Sequence, residues 1–394
     1  MAIKFIDEME LEEKRVFLRA DLNVPLDADG RITDDTRIRA VLPTIKYALN
    51  HGGFVILASH LGRPKGERNE KYSLLPVAER LNELLDREVI MAPDVVSDGV
   101  KVVANQLKTG QVLLLENLRF NPGETKNDPG FAKELAGLCE IYINDAFGAS
   151  HRAHASIEGI THYVREKGAG FLIRKELRYF SRVLDKPVSP FLAIMGGAKV
   201  SDKIGVIENL LDKVDAVLIG GGMAYTFLAA QGFDCGDSLV ESDRLDDARR
   251  IMDKSAQAGV RLILPEDHIV AREMSADAER REAANDDIGP GWKGLDIGPA
   301  TIETFKTQIG QSRTIVWNGP MGVFEMEPFA RGTLEVAKAV AEADATSVVG
   351  GGDSVAAVKA AGVADQISHI STGGGASLEL LEGKVLPGIA ALDS

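Results

Sequence analysis

Cysteine is nearly absent from this chain: two residues, Cys139 and Cys235, in 394. Two distant thiols form neither a disulfide framework nor a zinc pattern, and they fit a reducing compartment. Each reads as a small buried apolar residue. Long apolar runs are also missing. No stretch approaches the ~18 apolar residues that would span a bilayer, and the first eight residues hold no apolar signal core, so the chain reads as cytoplasmic. Positive charge is in deficit, with 45 Lys and Arg against 59 Asp and Glu and a net charge of −14. That balance argues against a nucleic-acid partner, which calls for a basic face, and against an anionic membrane. Any basic cluster is therefore a local arrangement built against the overall charge. Several motifs are missing too. Without G-x-x-x-x-G-K-[ST] the chain is not a P-loop enzyme, and without G-x-G-x-x-G after a strand a dinucleotide dehydrogenase is disfavoured. Lacking G-x-S-x-G and H-E-x-x-H, it gives no support to covalent-serine or zinc chemistry.

What is present is ordinary in bulk and specific in pattern. Hydrophobic residues make up 45% and charged residues 26%, as in a globular protein. A domain takes about 100–200 residues, so two are expected. Short apolar runs recur at residues 15–19, 54–59, 112–116 and 141–144, then at 191–195, 216–219, 261–264, 314–317, 347–349 and 366–370. Such runs suit strands of a parallel sheet buried on both faces. Helical patterns lie between them, as at 74–85 and 334–343. The expectation is an α/β fold: two doubly wound, Rossmann-like parallel-sheet domains. The halves part near Gly168-Ala169-Gly170. A helix at 171–184 follows, stopped by Pro187 and Pro190.

Ligands of open parallel sheets bind beyond the carboxyl ends of the strands. In the first half those positions carry Asp21, Asn23, His60, Arg63, Arg119, His151, Arg152 and His154, with Arg37 in the first crossover. Guanidinium forks and imidazoles suit a small polyanion bearing carboxylate and phosphate. A lone surface arginine is a solvated charge; four at the exits and crossover of one sheet point to a shared anion site. In the second half the same positions are glycine-rich: Gly196-Gly197-Ala198-Lys199, Gly220-Gly221-Gly222, Asn318-Gly319-Pro320, Gly350-Gly351-Gly352-Asp353 and Gly373-Gly374-Gly375. One glycine triplet is only a flexible turn, but three at strand ends of one domain point to phosphate or nucleotide. Lys199 and Lys203, four apart, are expected on one face of a helix leaving the first of these loops. Asp353 is a candidate Mg²⁺ ligand, because Mg²⁺ takes one or two carboxylates plus substrate phosphates.

These residues resemble the phosphoglycerate kinases over essentially the whole chain. The likeness rests on residues 18–25 (LRADLNVP), 59–64 (SHLGRP), 116–120 (ENLRF), 151–154 (HRAH), 196–204 (GGAKVSDKI), 317–320 (WNGP), 350–354 (GGGDS) and 371–376 (STGGGA). Departures are conservative: Ala20, Leu22 and Ser354. The resemblance implies Mg²⁺-dependent transfer of a phosphoryl group between 1,3-bisphosphoglycerate and ADP, with ATP and 3-phosphoglycerate as the other pair, in a cytoplasmic monomer with no nucleic-acid or membrane partner. It implies that Asp21, Asn23, Arg37, His60, Arg63, Arg119 and Arg152 hold the acid. Gly197, Lys199, Lys203, Gly220, Gly294, Leu295, Asn318, Glu325, Gly352, Asp353 and Ser354 would hold Mg-nucleotide, with Glu325 at the ribose and Gly294 and Leu295 near the adenine. Arg37, Lys199, Lys203 and Gly374 would be catalytic and Asp353 the metal ligand. Expected boundaries are 1–170 for the acid domain with 377–394 packed back onto it, 171–187 for the connecting helix and hinge, and 188–376 for the nucleotide domain. Acid on one domain and nucleotide on the other implies closure during turnover. Two other readings stay open at this point: another ATP-dependent enzyme acting on an acyl or sugar phosphate, and a catalytically silent binding protein on the same fold.

Overall fold

The structure is a computed structural model that describes residues 3–393; Met1, Ala2 and Ser394, the ends of the expected first domain and of its returning tail, lie outside the described residues. The chain divides into two compact units, Met1–Arg178 with Val385–Ser394, and Tyr179–Lys384.

In the first unit six parallel strands form one sheet: β1 (Arg15–Ala20), β2 (Phe54–Ala58), β3 (Val89–Met91), β4 (Val112–Leu114), β5 (Ile141–Asp145) and β6 (Glu166–Ala169). Their order is β3-β4-β2-β1-β5-β6. The chain starts in the middle, winds out to one edge, and returns to build the other. The order therefore reverses between β1 and β5, where a doubly wound sheet leaves its ligand crevice. The central strands are buried on both faces because helices cover both: Val16, Leu18, Val55, Leu57, Ile141 and Ile143 on one side and Phe17, Ile56 and Tyr142 on the other are fully buried.

The second unit repeats the plan with β7 (Phe191–Met195), β8 (Ala216–Ile219), β9 (Arg261–Ile263), β13 (Thr314–Asn318), β14 (Thr346–Gly350) and β15 (His369–Ile370), in the order β15-β14-β13-β7-β8-β9. Here the reversal lies between β7 and β13. An additional antiparallel sheet, β11-β10-β12, comprises β10 (Asp267–Ala271), β11 (Arg280–Ala284) and β12 (Lys293–Ile297).

Five strands escape the search for apolar runs. β3 is half-buried throughout, and β6 is a polar edge, EKGA. β10, β11 and β12 belong to a sheet with a wet face, which needs no continuous apolar run. The helix at Phe171–Leu184 forms as expected. Within the first unit its start is clasped by Asp145, whose carboxylate accepts the Thr44 hydroxyl at 2.6 Å and the Ile173 N–H at 3.0 Å. Thr44 in turn accepts the Phe171 N–H. Burial pushes the Asp145 carboxyl up to about 7.

The chain comes back to the first unit at Val385 rather than at residue 377. Residues 375–381 form a helix packed on helix Ile204–Leu210 of the second unit, where Asn209 donates to the Leu381 carbonyl. The returning residues dock at the end of β5: Gly388 donates to the Ser150 carbonyl at 2.9 Å, and Asn144 donates to the Gly388 carbonyl at 3.0 Å.

Candidate active site

In the first unit the predicted arginines belong to one cluster. Arg63, Arg119 and Arg152 line a cavity of about 320 Å³ together with Lys65, Thr125 and His154. Arg119 is held by its Nη1 to the Gly62 carbonyl at 2.7 Å, while its buried Nε has no protein partner. Burial first, and then the neighbouring Arg152 and Arg19, lower Arg119 to about 10. Burial, followed by Arg119, Arg19 and Arg152, lowers His154 to about 3. His60 is driven well below its ordinary value, mainly by burial and then by Arg19, Arg119, Arg152 and Arg37. Both histidines are therefore neutral at pH 7. Cations that repel one another at this range, one with an unused buried donor, describe a site whose complement is an anion.

Arg37 reaches the same neighbourhood from helix Thr36–Asn50 and pairs with Asp21 at 2.8 Å. Asp21 Oδ1 also accepts the Asn23 N–H, and Asn23 Oδ1 accepts the Gly62 N–H at 2.8 Å. Asn23 thus ties the β1 exit to the β2 exit. Arg19, Lys65, Glu124, Thr125 and Ser156 were not singled out as site residues. Arg19 did leave a trace, a charge inside an apolar run at 15–19.

The second unit builds its site from backbone. At the β7–β13 reversal the exits run so close that a Cβ on Gly319 would lie 2.1 Å from the Gly196 carbonyl oxygen, and Gly319 also has φ +99°. Two cavities open there. One, of about 550 Å³, is lined by Gly197, Lys199, Asp202, Lys203, Asn318, Gly352, Asp353 and Ser354. The other, of about 600 Å³, is lined by residues that include Gly197, Gly294, Leu295, Glu325 and Asp353. The cavities share Gly197, Ala198, Pro320 and Asp353. Helix Gly352–Ala360 starts beside the first, so its free N–H groups suit phosphate.

Lys199 and Lys203 do not share a helix face. The helix begins only at Ile204, with Lys203 as its cap at the end of a turn over 201–203 and Lys199 in irregular backbone before it. Ser201 fixes that turn by donating its N–H and hydroxyl to Glu241. Both lysines nonetheless face one cavity. Lys203 donates to Asn318 Oδ1, and burial lowers its pKa against the pull of Asp202, Asp353 and Glu382. Asn318 also donates to the Gly350 carbonyl, and Ser354 accepts the Gly319 N–H at 2.6 Å. These two residues lock three strand exits together.

Gly220 and Gly374 line neither cavity. Gly220 is covered by Met321, whose sulfur would lie 2.4 Å from an added Cβ, and Gly221 and Gly222 line the larger cavity instead. Gly374 caps helix Gly375–Leu381 with φ +51°. Tyr225 was missed: its hydroxyl fills the space a side chain at Gly294 would need and meets His268 Nδ1 at 3.0 Å.

The donor set fits Mg²⁺ of one particular kind. Among the described residues no three His, Cys, Asp or Glu converge as a metal cage. Asp353 alone puts an exposed carboxylate at both cavities. Mg²⁺ that takes its remaining ligands from phosphates and water needs no more.

A charge-lined anion site and a glycine-lined phosphate site, on two doubly wound sheets without a P-loop, define the class: an α/β phosphotransferase acting on a small acid. The phosphoglycerate kinase family profile matches residues 6–384. The chain is 61% identical to the phosphoglycerate kinase of Acidobacterium capsulatum over 98% of both chains, and 56% identical to that of an Anaeromyxobacter species over the full length of both. It superposes on the phosphoglycerate kinase structure from Coxiella burnetii with a TM-score of 0.90, 44% identity and 99% coverage of each chain. It belongs to the phosphoglycerate kinase family.

Proposed function

We propose that the family's reaction, reversible phosphoryl transfer between 1,3-bisphosphoglycerate and ADP giving 3-phosphoglycerate and ATP, is divided between the units, with the first holding the acid and the second the Mg-nucleotide. The observation that carries this reading is the guanidinium cluster at the strand exits of the first unit, with the unused buried Nε of Arg119 inside it.

Phosphoryl transfer asks little covalent chemistry of the protein; it asks for position and for cover of the moving charge. Arg63, Arg119 and Arg152 hold the acid's anionic groups, and Asn23 and Asp21 keep the β1 and β2 exits in register. Arg37 is the cation left to meet the transferring group, since its Asp21 pairing leaves the rest of its fork free. Gly197 and the start of helix Gly352–Ala360 receive nucleotide phosphates by backbone N–H groups. Lys199 and Lys203 supply positive charge, with Lys203 held by Asn318. Gly294, Leu295 and Glu325 line the cavity left for base and ribose. Asp353 would hold Mg²⁺ with the nucleotide phosphates, and the ion would neutralise charge on them. The attacking group is already an oxyanion, so no general base is required. Transfer requires the two units to close on each other and exclude water. A monomer in the cytoplasm is what the family resemblance implies, and on this reading one chain carries both halves of the chemistry.

The test is a coupled assay with Mg-ATP and 3-phosphoglycerate, run beside separate binding titrations of each ligand. Arg119→Ala is expected to weaken 3-phosphoglycerate binding and leave nucleotide affinity unchanged. An effect on nucleotide alone would refute the division.

A further inference from the structure

The structure assigns Glu124 to the acid site as a positioning residue that, through Ser156 and Arg19, holds His60 as a hydrogen-bond donor with its proton on Nε2. This rests on the reading of the first unit as the acid-binding one.

A fully buried carboxylate beside an anion site needs a reason. Glu124 is 0% exposed, in the short helix Pro122–Thr125, and its oxygens accept the Ser156 hydroxyl at 2.7 Å and the Ser156 N–H at 3.0 Å. The Ser156 oxygen accepts Arg19 Nε at 2.8 Å, and Arg19 Nη2 lies 4.0 Å from Glu124 Oε1. Arg19 is also 0% exposed; its Nη1 donates to the Ala20 carbonyl and its Nη2 to His60 Nδ1 at 3.2 Å. A guanidinium can only donate, so Nδ1 presents its lone pair and the ring proton resides on Nε2. The only hydrogen bond of the ring to a described residue is this one at Nδ1, which leaves Nε2 for a ligand, and the ring lies within the field of Arg37, Arg119 and Arg152. The site thereby gains a neutral donor for an acid oxygen without a further cation that would repel the others. Glu124 also joins two loops: its carbonyl accepts the Ala155 N–H at 2.9 Å, tying the segment after Arg119 to the one after Arg152.

Glu124→Gln replaces one acceptor oxygen with an amide that faces the Ser156 and Arg19 donors, and it removes the buried counter-ion of Arg19. Ring-nitrogen NMR of the full-length protein should report the Nε2–H form of His60 in the wild type and its loss or mixing in Glu124→Gln. The KM for 3-phosphoglycerate should rise about tenfold or more, the value of one good hydrogen bond, while the KM for Mg-ATP stays put. Ser156→Ala should move both readouts the same way by less, and it keeps the test alive if Glu124→Gln fails to fold. An Nδ1–H ring in the wild type, an unmoved tautomer in Glu124→Gln, or a lowered KM for the acid would overturn the inference; the last would mean that Glu124 merely dilutes positive charge. If 3-phosphoglycerate shifts no histidine resonance of the first unit in the wild type, the acid-site reading itself has failed.

Discussion

The two units share a sheet plan and solve anion binding in opposite ways. The first uses side-chain charge: Arg63, Arg119 and Arg152 around one cavity, neutral His154 beside them and a buried carboxylate behind. The second uses backbone: glycines where strand exits nearly touch, a helix N-terminus, and two lysines. A side-chain site can be dismantled one group at a time with the fold intact. A backbone site cannot, because its donors are the fold.

The largest break in this comparison should come from Arg37→Ala. Removing one preorganised donor typically costs about 10²–10³ in kcat. The Arg37–Asp21 pair is partly exposed, and such pairs contribute roughly 0–1 kcal/mol. Turnover should therefore collapse while the thermal midpoint barely moves; near-normal turnover would take Arg37 out of the mechanism. Gly319→Ala should behave the other way. Its Cβ would lie 2.1 Å from the Gly196 oxygen at φ +99°, and such backbone strain costs on the order of 1–3 kcal/mol. Stability and nucleotide affinity should fall together, with the intrinsic affinity for the acid retained. Nucleotide binding that survives with an unchanged midpoint would contradict a backbone-built site.

A smaller effect concerns Asp145, whose folded-state pKa of about 7 stands above its ordinary 3.8. A raised pKa means that its contribution to stability is complete below about pH 4 and is lost as pH rises through 7. Asp145→Asn should flatten the fall in unfolding free energy across that window, measured by denaturant titration at each pH; an identical slope would show that the clasp is ionised throughout. The smallest effect is expected from the thiols. Burial pushes Cys139 up to about 12 and Cys235 up to about 11, so thiolate is scarce at neutral pH. Iodoacetamide at pH 7.5 should leave activity and mass unchanged, and rapid alkylation of either would show its surroundings to be more open.

Legibility in the sequence follows the same division. Strands buried on both faces announce themselves as apolar runs, so the central strands of both sheets could be read directly. The half-buried edge strand β3, the polar edge strand β6, and a sheet with one wet face such as β10–β12 have no such signal. The arginines were legible because strand exits of a parallel sheet are where ligands bind, and charge there stands out in an acidic chain. Glu124 and Ser156 were not, because a buried carboxylate and its partner, 32 residues apart, acquire meaning only when tertiary packing brings them to Arg19. Spacing misled at Lys199: an i, i+4 pair suggests a helix, but Glu241 captures Ser201 and holds the segment as a turn.

Docking of Gly388 onto Ser150 and Asn144 has a consequence for how the chain is made. The second unit is one continuous stretch, and every residue of it is translated before the returning residues of the first unit. The half that is synthesised first is therefore completed only after the other has been made, because its β5 end waits for the segment around Gly388 to arrive.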